Sequence, residues 1–424
     1  MSGPAPSSAS MDAKADARYA AIVVALMAAA QIMNMVDRAV VAVGAADIMR
    51  DLGLSPEEYG VLGSAFYSLH SITGIAVGFF LAHRVRPILL VTGMVAIWTV
   101  TQLPPILFPT FLTLIISRVV LGAAEAPCMP AAVATTHELF PADRRSVPTS
   151  IVWIGAMVGA LVAPPILTVV IANMGWRAGF AVSAALSGTL FVALMIVSRM
   201  RNRPQEAAHE IAAIQEEGAK TNYWRDPTII SITVVGLCAY WMTAFSGTWL
   251  FPMVHLHWGY TPELSGWVTS AVFGLCALAL LVVPALSQKM LKQGVSLRWA
   301  VVMPVAACLL VGSVLLASSA LLSVGVLKLV FIAIGIALMP VVGATISVVI
   351  SSIVPRQDRN RLLIVILALT SLAGLPAPYV TGWFINRLGA DGYDAALLCC
   401  GAVTMAGGLL ALRLMRRGAL EPLK

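Results

Sequence analysis

The chain has 424 residues, of which 59% are hydrophobic and 11% charged, and it carries a net charge of +7. That composition, with a mean hydropathy of +0.89, excludes an ordinary soluble domain. The six cysteines (Cys128, Cys238, Cys276, Cys308, Cys399, Cys400) all lie in apolar stretches without zinc-ligand spacing, so they read as small packing residues.

In chain order, residues 1–17 are rich in Ala, Ser and Pro and lack the apolar core of a signal peptide. They predict a disordered cytoplasmic tail. Twelve apolar runs follow, at 20–43, 59–82, 88–107, 110–137, 147–172, 178–198, 228–254, 264–287, 299–318, 321–350, 362–385 and 393–413. Each is near the ~20 residues that span a bilayer as a helix. One long polar stretch, 199–226, divides six runs from six, and 205–217 within it has the pattern of a short surface helix. The expected organisation is an all-α membrane protein. It has a tail at 1–17, an N-terminal six-helix bundle at 18–199, a linker at 200–226, a C-terminal bundle at 227–415 and a tail at 416–424.

The basic residues set an orientation. With both termini inside, Arg50, Arg177 and Arg387 fall in outer loops and Arg38, Arg118 and Lys328 in membrane segments; the remaining 21 of the 27 Lys and Arg are cytoplasmic. This is the positive-inside bias. The positive charge therefore reports topology and argues against a nucleic-acid partner. No glycosylation sequon occurs and the outer loops are short, which fits a bacterial cytoplasmic membrane.

The two halves resemble each other. Phe140-Pro141-Ala142-Asp143-Arg144-Arg145 and Val354-Pro355-Arg356-Gln357-Asp358-Arg359 stand 214 residues apart. Gly159-Ala160-Leu161-Val162-Ala163-Pro164 and Ala373-Gly374-Leu375-Pro376-Ala377-Pro378 repeat at the same offset, and Arg118 and Pro130 are spaced like Lys328 and Pro340. Parallel repeats of six helices, related by a pseudo-twofold axis, place a substrate site near the midplane between them and allow rocking for alternating access. Small residues at spacings of four, such as Gly155–Gly159, read as helix-packing positions.

Four charges sit deep in the apolar runs: Asp37, Arg38, Arg118 and Glu125. A charge at the bilayer centre costs about 2.5–3.5 kcal/mol on insertion scales, so it persists where it pairs, lines a wet cavity or handles an ion. Arg118 and Glu125 are two turns apart on one helix face, about 10 Å along the axis. Asp37 and Arg38 are adjacent and point about 100° apart, so each reaches a shared cavity from the side. A carboxyl moved out of water favours its neutral form and a nearby arginine favours the charged one. An anion arriving on an arginine would then make carboxyl protonation easier. The alternative is a pair of static ion pairs that glue helices.

The motifs around these charges resemble a known family. Asn34-Met35-Val36-Asp37-Arg38 with Asp51-Leu52-Gly53-Leu54-Ser55 is similar to the first-helix signature of the anion:cation symporters of the major facilitator superfamily. Arg118-Val119-Val120-Leu121-Gly122-Ala123-Ala124-Glu125-Ala126, Pro130 and Phe140-Pro141 resemble that family's fourth-helix signature, and Gly175-Trp176-Arg177 its short turn before helix six. The resemblance covers about residues 18–415. It implies the major facilitator fold and transport of organic anions such as sugar acids or aromatic carboxylates, usually with protons. It also implies that Asp37 and Glu125 take up protons and that Arg118 helps to bind the anion.

The departures from the family are specific. The loop after helix two reads Ala82-His83-Arg84-Val85-Arg86, without the acidic residue and glycine usual there. His70 stands where a pocket Tyr is common, and Ser371 where Asn is common in helix eleven. Further expected substrate contacts are Arg38, whose planar fork suits a carboxylate, Tyr240 on segment seven and Lys328 from the other half; for Lys328 a local pair or snorkelling is the rival. Arg84, Asp143, Arg144, Asp358 and Arg359 are gate candidates in the cytoplasmic loops, with ordinary solvated charges as the alternative. His255 and His257 read as a solvated rim.

No phosphate-binding loop, catalytic triad spacing or metal cluster appears, so the chain reads as a non-enzyme needing no cofactor beyond protons as coupling ion. The expectation is a monomeric, proton-coupled symporter of a small organic anion. A proton-coupled exporter and a non-transporting anion sensor are the alternatives.

Overall fold

The computed structural model describes residues 8–81, 84–200 and 223–416. Twelve helices are long and apolar enough to cross a membrane. In the first half they are α1 (Asp16–Val43), α2 (Pro56–Leu81), α3 (Pro87–Leu107), α4 (Phe111–Leu139), α5 (Ser146–Met174) and α6 (Trp176–Met200). In the second half they are α7 (Pro227–His257), α8 (Pro262–Lys292), α9 (Arg298–Ser319), α10 (Val326–Ile353), α11 (Arg361–Leu388) and α12 (Asp391–Arg413). Large apolar side chains such as Ile72, Val100, Leu281 and Val311 stay exposed on the outside of this bundle, as lipid contact requires.

Two sequence expectations change at the ends. The first helix begins at Ser8, so the tail expected through residue 17 is helical from there; residues 1–7 lie outside the described residues. The expected surface helix at 205–217 and the tail residues 417–424 also lie outside them. Segment ten starts at Val326 rather than 321, because residues 320–325 turn before the helix is entered.

Local chemistry sets where the helices start. Ser55 and Glu58 form a reciprocal capping box ahead of α2, with Pro56 in the first turn. The side chain of Asp226 accepts from the amides of Thr228 and Ile229 at the head of α7. The chain leaves α1 through an amphipathic helix, Ala45–Leu52, which Gly53 ends in the left-handed conformation (φ +63°). Asp51 of that helix accepts from the indole of Trp176 at 3.0 Å and lies 3.4 Å from Arg177. Two motifs 125 residues apart in sequence thus meet at one loop cluster.

Several spans are interrupted where function is expected. α4 breaks at Ala126–Pro127, directly after Glu125. α10 breaks before Pro340, and α11 passes through a short 3-10 turn at Leu372–Gly374. Proline supplies no amide to the preceding turn, so the regular helical ladder is interrupted at these points and shorter-range bonds such as Met339 N–H to Ile336 and Leu375 N–H to Leu372 take its place.

Within the first half α1 packs on α5 and α6, α2 on α4, and α3 on α6; in the second, α9 packs on α12 and α10, and α7 on α12. The halves meet along α2–α11 and α5–α8. The internal duplication is visible atom by atom. Arg145 donates from Nε to the carbonyl of Phe140 at 3.0 Å, and Arg359, 214 positions on, donates from Nε to Val354 at 2.7 Å.

Twelve crossings bring Asp16, Met200, Pro227 and Arg413 to one face, here the proximal face. On the opposite, distal face the halves are closely sealed. Tyr59 of α2 places its hydroxyl 3.2 Å from the carbonyls of both Val41 and Thr248. Trp249 packs edge-on against Tyr59 at 4.9 Å and donates to the carbonyl of Pro378. Glu57 accepts from Tyr379 at 3.0 Å and from Asn386 at 3.3 Å. Gly60 is required there: a Cβ would stand 2.6 Å from the carbonyl oxygen of Pro378.

Candidate functional site

A cavity of about 300 Å³ lies between the two halves. α1, α2, α4 and α5 line it on one side and α7, α8 and α10 on the other. Both midmembrane arginines, Arg38 and Arg118, reach its wall. The two acids do not. Asp37 is 0% exposed and Glu125 2%, and each stands behind one arginine.

The adjacency of Asp37 and Arg38 explains this division. Their directions diverge on α1, so they serve different neighbours. Arg38 turns to α4 and donates from Nε to Glu125 Oε2 at 2.8 Å, with its guanidinium 4.9 Å above the ring of Phe66. Asp37 turns to α6 and accepts through Oδ1 from the Ser183 hydroxyl. The site is thus one ion pair and one acid–hydroxyl pair, side by side.

Arg118 bridges the two. Its Nη1 donates to the main-chain carbonyl of Asp37 at 2.9 Å, not to the carboxylate. Its guanidinium lies 5.5 Å from the ring of Phe180. Among the described residues its Nε and Nη2 have no hydrogen-bond partner, and neither do Asp37 Oδ2 and Glu125 Oε1. Buried polar groups are nearly always paired, and here four such atoms fall on three neighbouring side chains.

The other expected contacts are distributed around this core. His70 points its Nδ1 at the carbonyl of Gly122, 3.0 Å away; a carbonyl only accepts, so that nitrogen carries the proton. The histidine therefore ties α2 to the fourth-helix motif beside Phe66, 5.4 Å between rings, and is not on the cavity wall. Tyr240 of α7 crosses to the other half and meets Tyr67 edge-on at 6.0 Å. Ser371 pairs its hydroxyl with that of Ser71 at 2.6 Å, joining α11 to α2.

Lys328 is a correction. It was expected as a second positive contact from the C-terminal half. Because α10 begins at Val326, the lysine lies in its first turn, with Nζ 2.6 Å from Asp394 Oδ1 of α12 and its side chain 2% exposed. It is a local pair away from the cavity wall, the rival reading given above.

Three of the gate candidates, Asp143, Arg144 and Arg359, make contacts within their own halves, and Asp358 does the same. Asp143 and Arg144 make an exposed pair with each other at 3.7 Å. Asp358 accepts from Tyr223, just before α7, at 2.6 Å, and Arg359 holds Val354. Arg84 is exposed at the end of α2. Near the proximal face Arg361 of α11 crosses between the halves, over the ring of Phe79 of α2, at 5.4 Å.

Sequence reasoning did not find Ser183, Tyr59, Tyr67 or Phe79. Ser183 carries no sequence signal beyond being a small polar residue in an apolar run. Tyr59 and Tyr67, eight apart on the face of α2 opposite α7, are detectable in principle from helical spacing.

Comparison with known proteins agrees with this architecture. Residues 27–361 match the profile of the Major Facilitator Superfamily. A probable L-galactonate transporter of Escherichia coli K12 is 25% identical over 93% of this chain and 89% of its own. A hexuronate transporter of Bacillus subtilis is 23% identical over 91% of this chain and 92% of its own. An MFS-type efflux pump of Mycolicibacterium smegmatis is 27% identical over 95% of both chains. Among solved structures, a bacterial homologue of the human lysosomal transporter Spinster, inward-facing and occupied, superposes with a TM-score of 0.79 at 17% identity, covering 94% of this chain and 97% of that one.

A profile that spans most of the chain, over twelve helices in two repeats, settles the class: this protein belongs to the Major Facilitator Superfamily. It is a multi-pass membrane transporter and not an enzyme, and its likeness to the galactonate and hexuronate carriers bears out the resemblance to the anion:cation symporters.

Proposed function

We propose that this transporter carries a small organic anion, a sugar acid or another carboxylate, into the cell together with protons, as a monomer in the bacterial cytoplasmic membrane with both termini inside. The observation that carries the reading is that the arginines at the cavity wall have buried acids behind them: Glu125 bonds Arg38 at 2.8 Å, and Arg118 is held on the main-chain carbonyl of Asp37, whose carboxyl is fully buried. In that orientation the distal face is the outer one, and the contacts around Tyr59 and Trp249 close the cavity on that side.

The cycle follows from the pairs. A proton on Glu125 removes the charge that holds Arg38 and releases the guanidinium toward the cavity. A proton on Asp37 leaves the charge of Arg118 without its nearest counter-ion. Both arginines are then left with a carboxylate in the cavity as their counter-charge, Arg38 through its outer nitrogens. Charge-assisted bonds of this kind are about twice as strong as neutral ones. Loss of the protons on the inside restores the internal partners and expels the anion. Protons and anion are coupled because they compete, with opposite sign, for the same two cations.

Uptake of labelled hexuronate or aromatic carboxylate into proteoliposomes with an acid exterior tests this. Asp37→Asn and Glu125→Gln should each abolish the proton-driven gradient, while exchange of anion for anion persists in one of them. Unchanged accumulation in both variants would remove the proton roles.

Export by proton antiport is the second reading. The apolar lining of much of the cavity and the efflux-pump relative favour it. Oriented vesicles separate the two: symport drives anion along the proton gradient, antiport against it.

A further inference from the structure

Resting on the anion-carrier reading, we infer that this chain takes an asymmetric anion, with one acidic head held by the N-terminal half and an apolar body lying against the C-terminal half, and that it discriminates against the polyhydroxylated and two-headed sugar acids.

The first observation is the position of charge. Every cation at the cavity wall, Arg38 and Arg118, comes from the N-terminal half. The C-terminal half has a lysine in a membrane-spanning helix, but Lys328 lies in the first turn of α10 and is committed to Asp394 at 2.6 Å. The C-terminal wall is formed by uncharged residues, among them Phe251, Phe273, Leu280 and Ile336. A second carboxylate at the far end of a dianion meets no counter-charge there.

The second observation is how few hydroxyls the wall offers: those of Tyr59, Tyr67, Thr243, Ser246, Thr248 and Thr269, of which three already have partners. Ser246 donates to the carbonyl of Thr243 and Thr269 to that of Ser265, each within its own helix. Tyr59 is engaged with two carbonyls at the distal seal. His70 and Ser371, the positions where substrate contacts were expected, are tied to Gly122 and Ser71. No Asn or Gln lines the cavity among the described residues. A hexuronate brings four hydroxyls, and each needs a partner when it leaves water; the wall hydroxyls of Tyr67, Thr243 and Thr248 are fewer than that. A bridging water would itself need polar anchors on the same wall. An aryl or branched aliphatic body asks for none and gains from burial against Phe251, Phe273 and Met157.

The test is binding to the purified full-length protein by titration calorimetry. Phenylacetate and benzenesulfonate serve as one-headed apolar anions, galacturonate as a one-headed polyol, and galactarate as a two-headed polyol. The inference predicts that phenylacetate binds at least about tenfold more tightly than galacturonate, since two or more unmade hydrogen bonds amount to that factor or more. It predicts galactarate to be the weakest. Phe273→Asn, which adds an amide to the wall, should narrow the phenylacetate-to-galacturonate ratio several-fold. Galacturonate or galactarate binding as tightly as phenylacetate overturns the inference and leaves anion carriage standing. If no anion of the panel binds, and wild type and Arg118→Ala are indistinguishable, the anion-carrier reading falls as well.

Discussion

Arg38 spends one face on Glu125 and keeps the other open. Its Nε lies 2.8 Å from Glu125 Oε2, the acid's side chain is 0% exposed, and the arginine's is 30% exposed. A pair built only to fasten α1 to α4 gains nothing from leaving its cation in contact with a cavity. Arranged this way, the same guanidinium faces an internal acid and an incoming anion, and a proton decides between them. Glu125→Gln should therefore remove the proton dependence of uptake without removing the anion site. Counterflow exchange should keep at least about a third of its wild-type rate, while accumulation driven by a pH gradient falls to background. Paired uptake and exchange assays in proteoliposomes check this.

Arg118 and Lys328 look alike in sequence and differ in place. Arg118→Ala should weaken anion affinity by about ten- to a hundredfold, the loss of a charge-assisted bond of about 1.5–3 kcal/mol. Lys328→Ala should leave affinity within about twofold. It removes the buried lysine that pairs with the partly exposed Asp394, so it should lower thermal stability. Thermal unfolding and calorimetry on the two variants should give opposite patterns: binding lost with the fold intact for Arg118, stability lost with binding intact for Lys328.

The distal seal depends on Gly60, where a side chain collides with Pro378. Gly60→Val should hold the distal ends of α2 and α11 apart and stop transport. Spin labels at Leu54 and Leu388 should report a longer distance in the variant than in wild type, and an unchanged distance with full transport would show that this crossing is not needed for closure.

The loop clasp has a pH signature. The indole of Trp176, chiefly, together with Arg50 and Arg177 holds the Asp51 carboxyl below its ordinary value. A carboxyl lowered in the folded state contributes stability above its unfolded value, near 4. That contribution is lost as the pH falls through the lower folded value. Between about pH 5 and 3 wild type should therefore lose more thermal stability than Asp51→Asn. Melting curves at both pH values check the sign.

How far the sequence led is clear from particular residues. All twelve spans were legible because twenty apolar residues have few other uses. Arg118 and Glu125 were legible because charge inside such a run demands a reason, and their seven-residue spacing fixed a common face. The spacing did not say which atom of Asp37 meets Arg118, because that depends on how closely α1 and α4 approach. Nor did it place the acids behind the arginines rather than on the wall. Lys328 was misplaced for a simpler cause: a five-residue error in the start of α10 moves a side chain by more than a turn, from mid-membrane to the rim. The gate candidates were drawn from loop charges, whereas one crossing near the proximal face uses an arginine on an aromatic ring, Arg361 on Phe79, a pairing that no charge count reveals.

The account's central claim is that one set of side chains exchanges protons for an anion. Its most direct measurement is proton movement itself, followed with a pH dye trapped in proteoliposomes while the tightest-binding anion of the panel is added outside. The account predicts that wild type acidifies the interior as anion enters, and that Asp37→Asn and Glu125→Gln abolish the signal although the protein still binds the anion. Anion entry with no proton movement in wild type, or an undiminished signal in both variants, contradicts it.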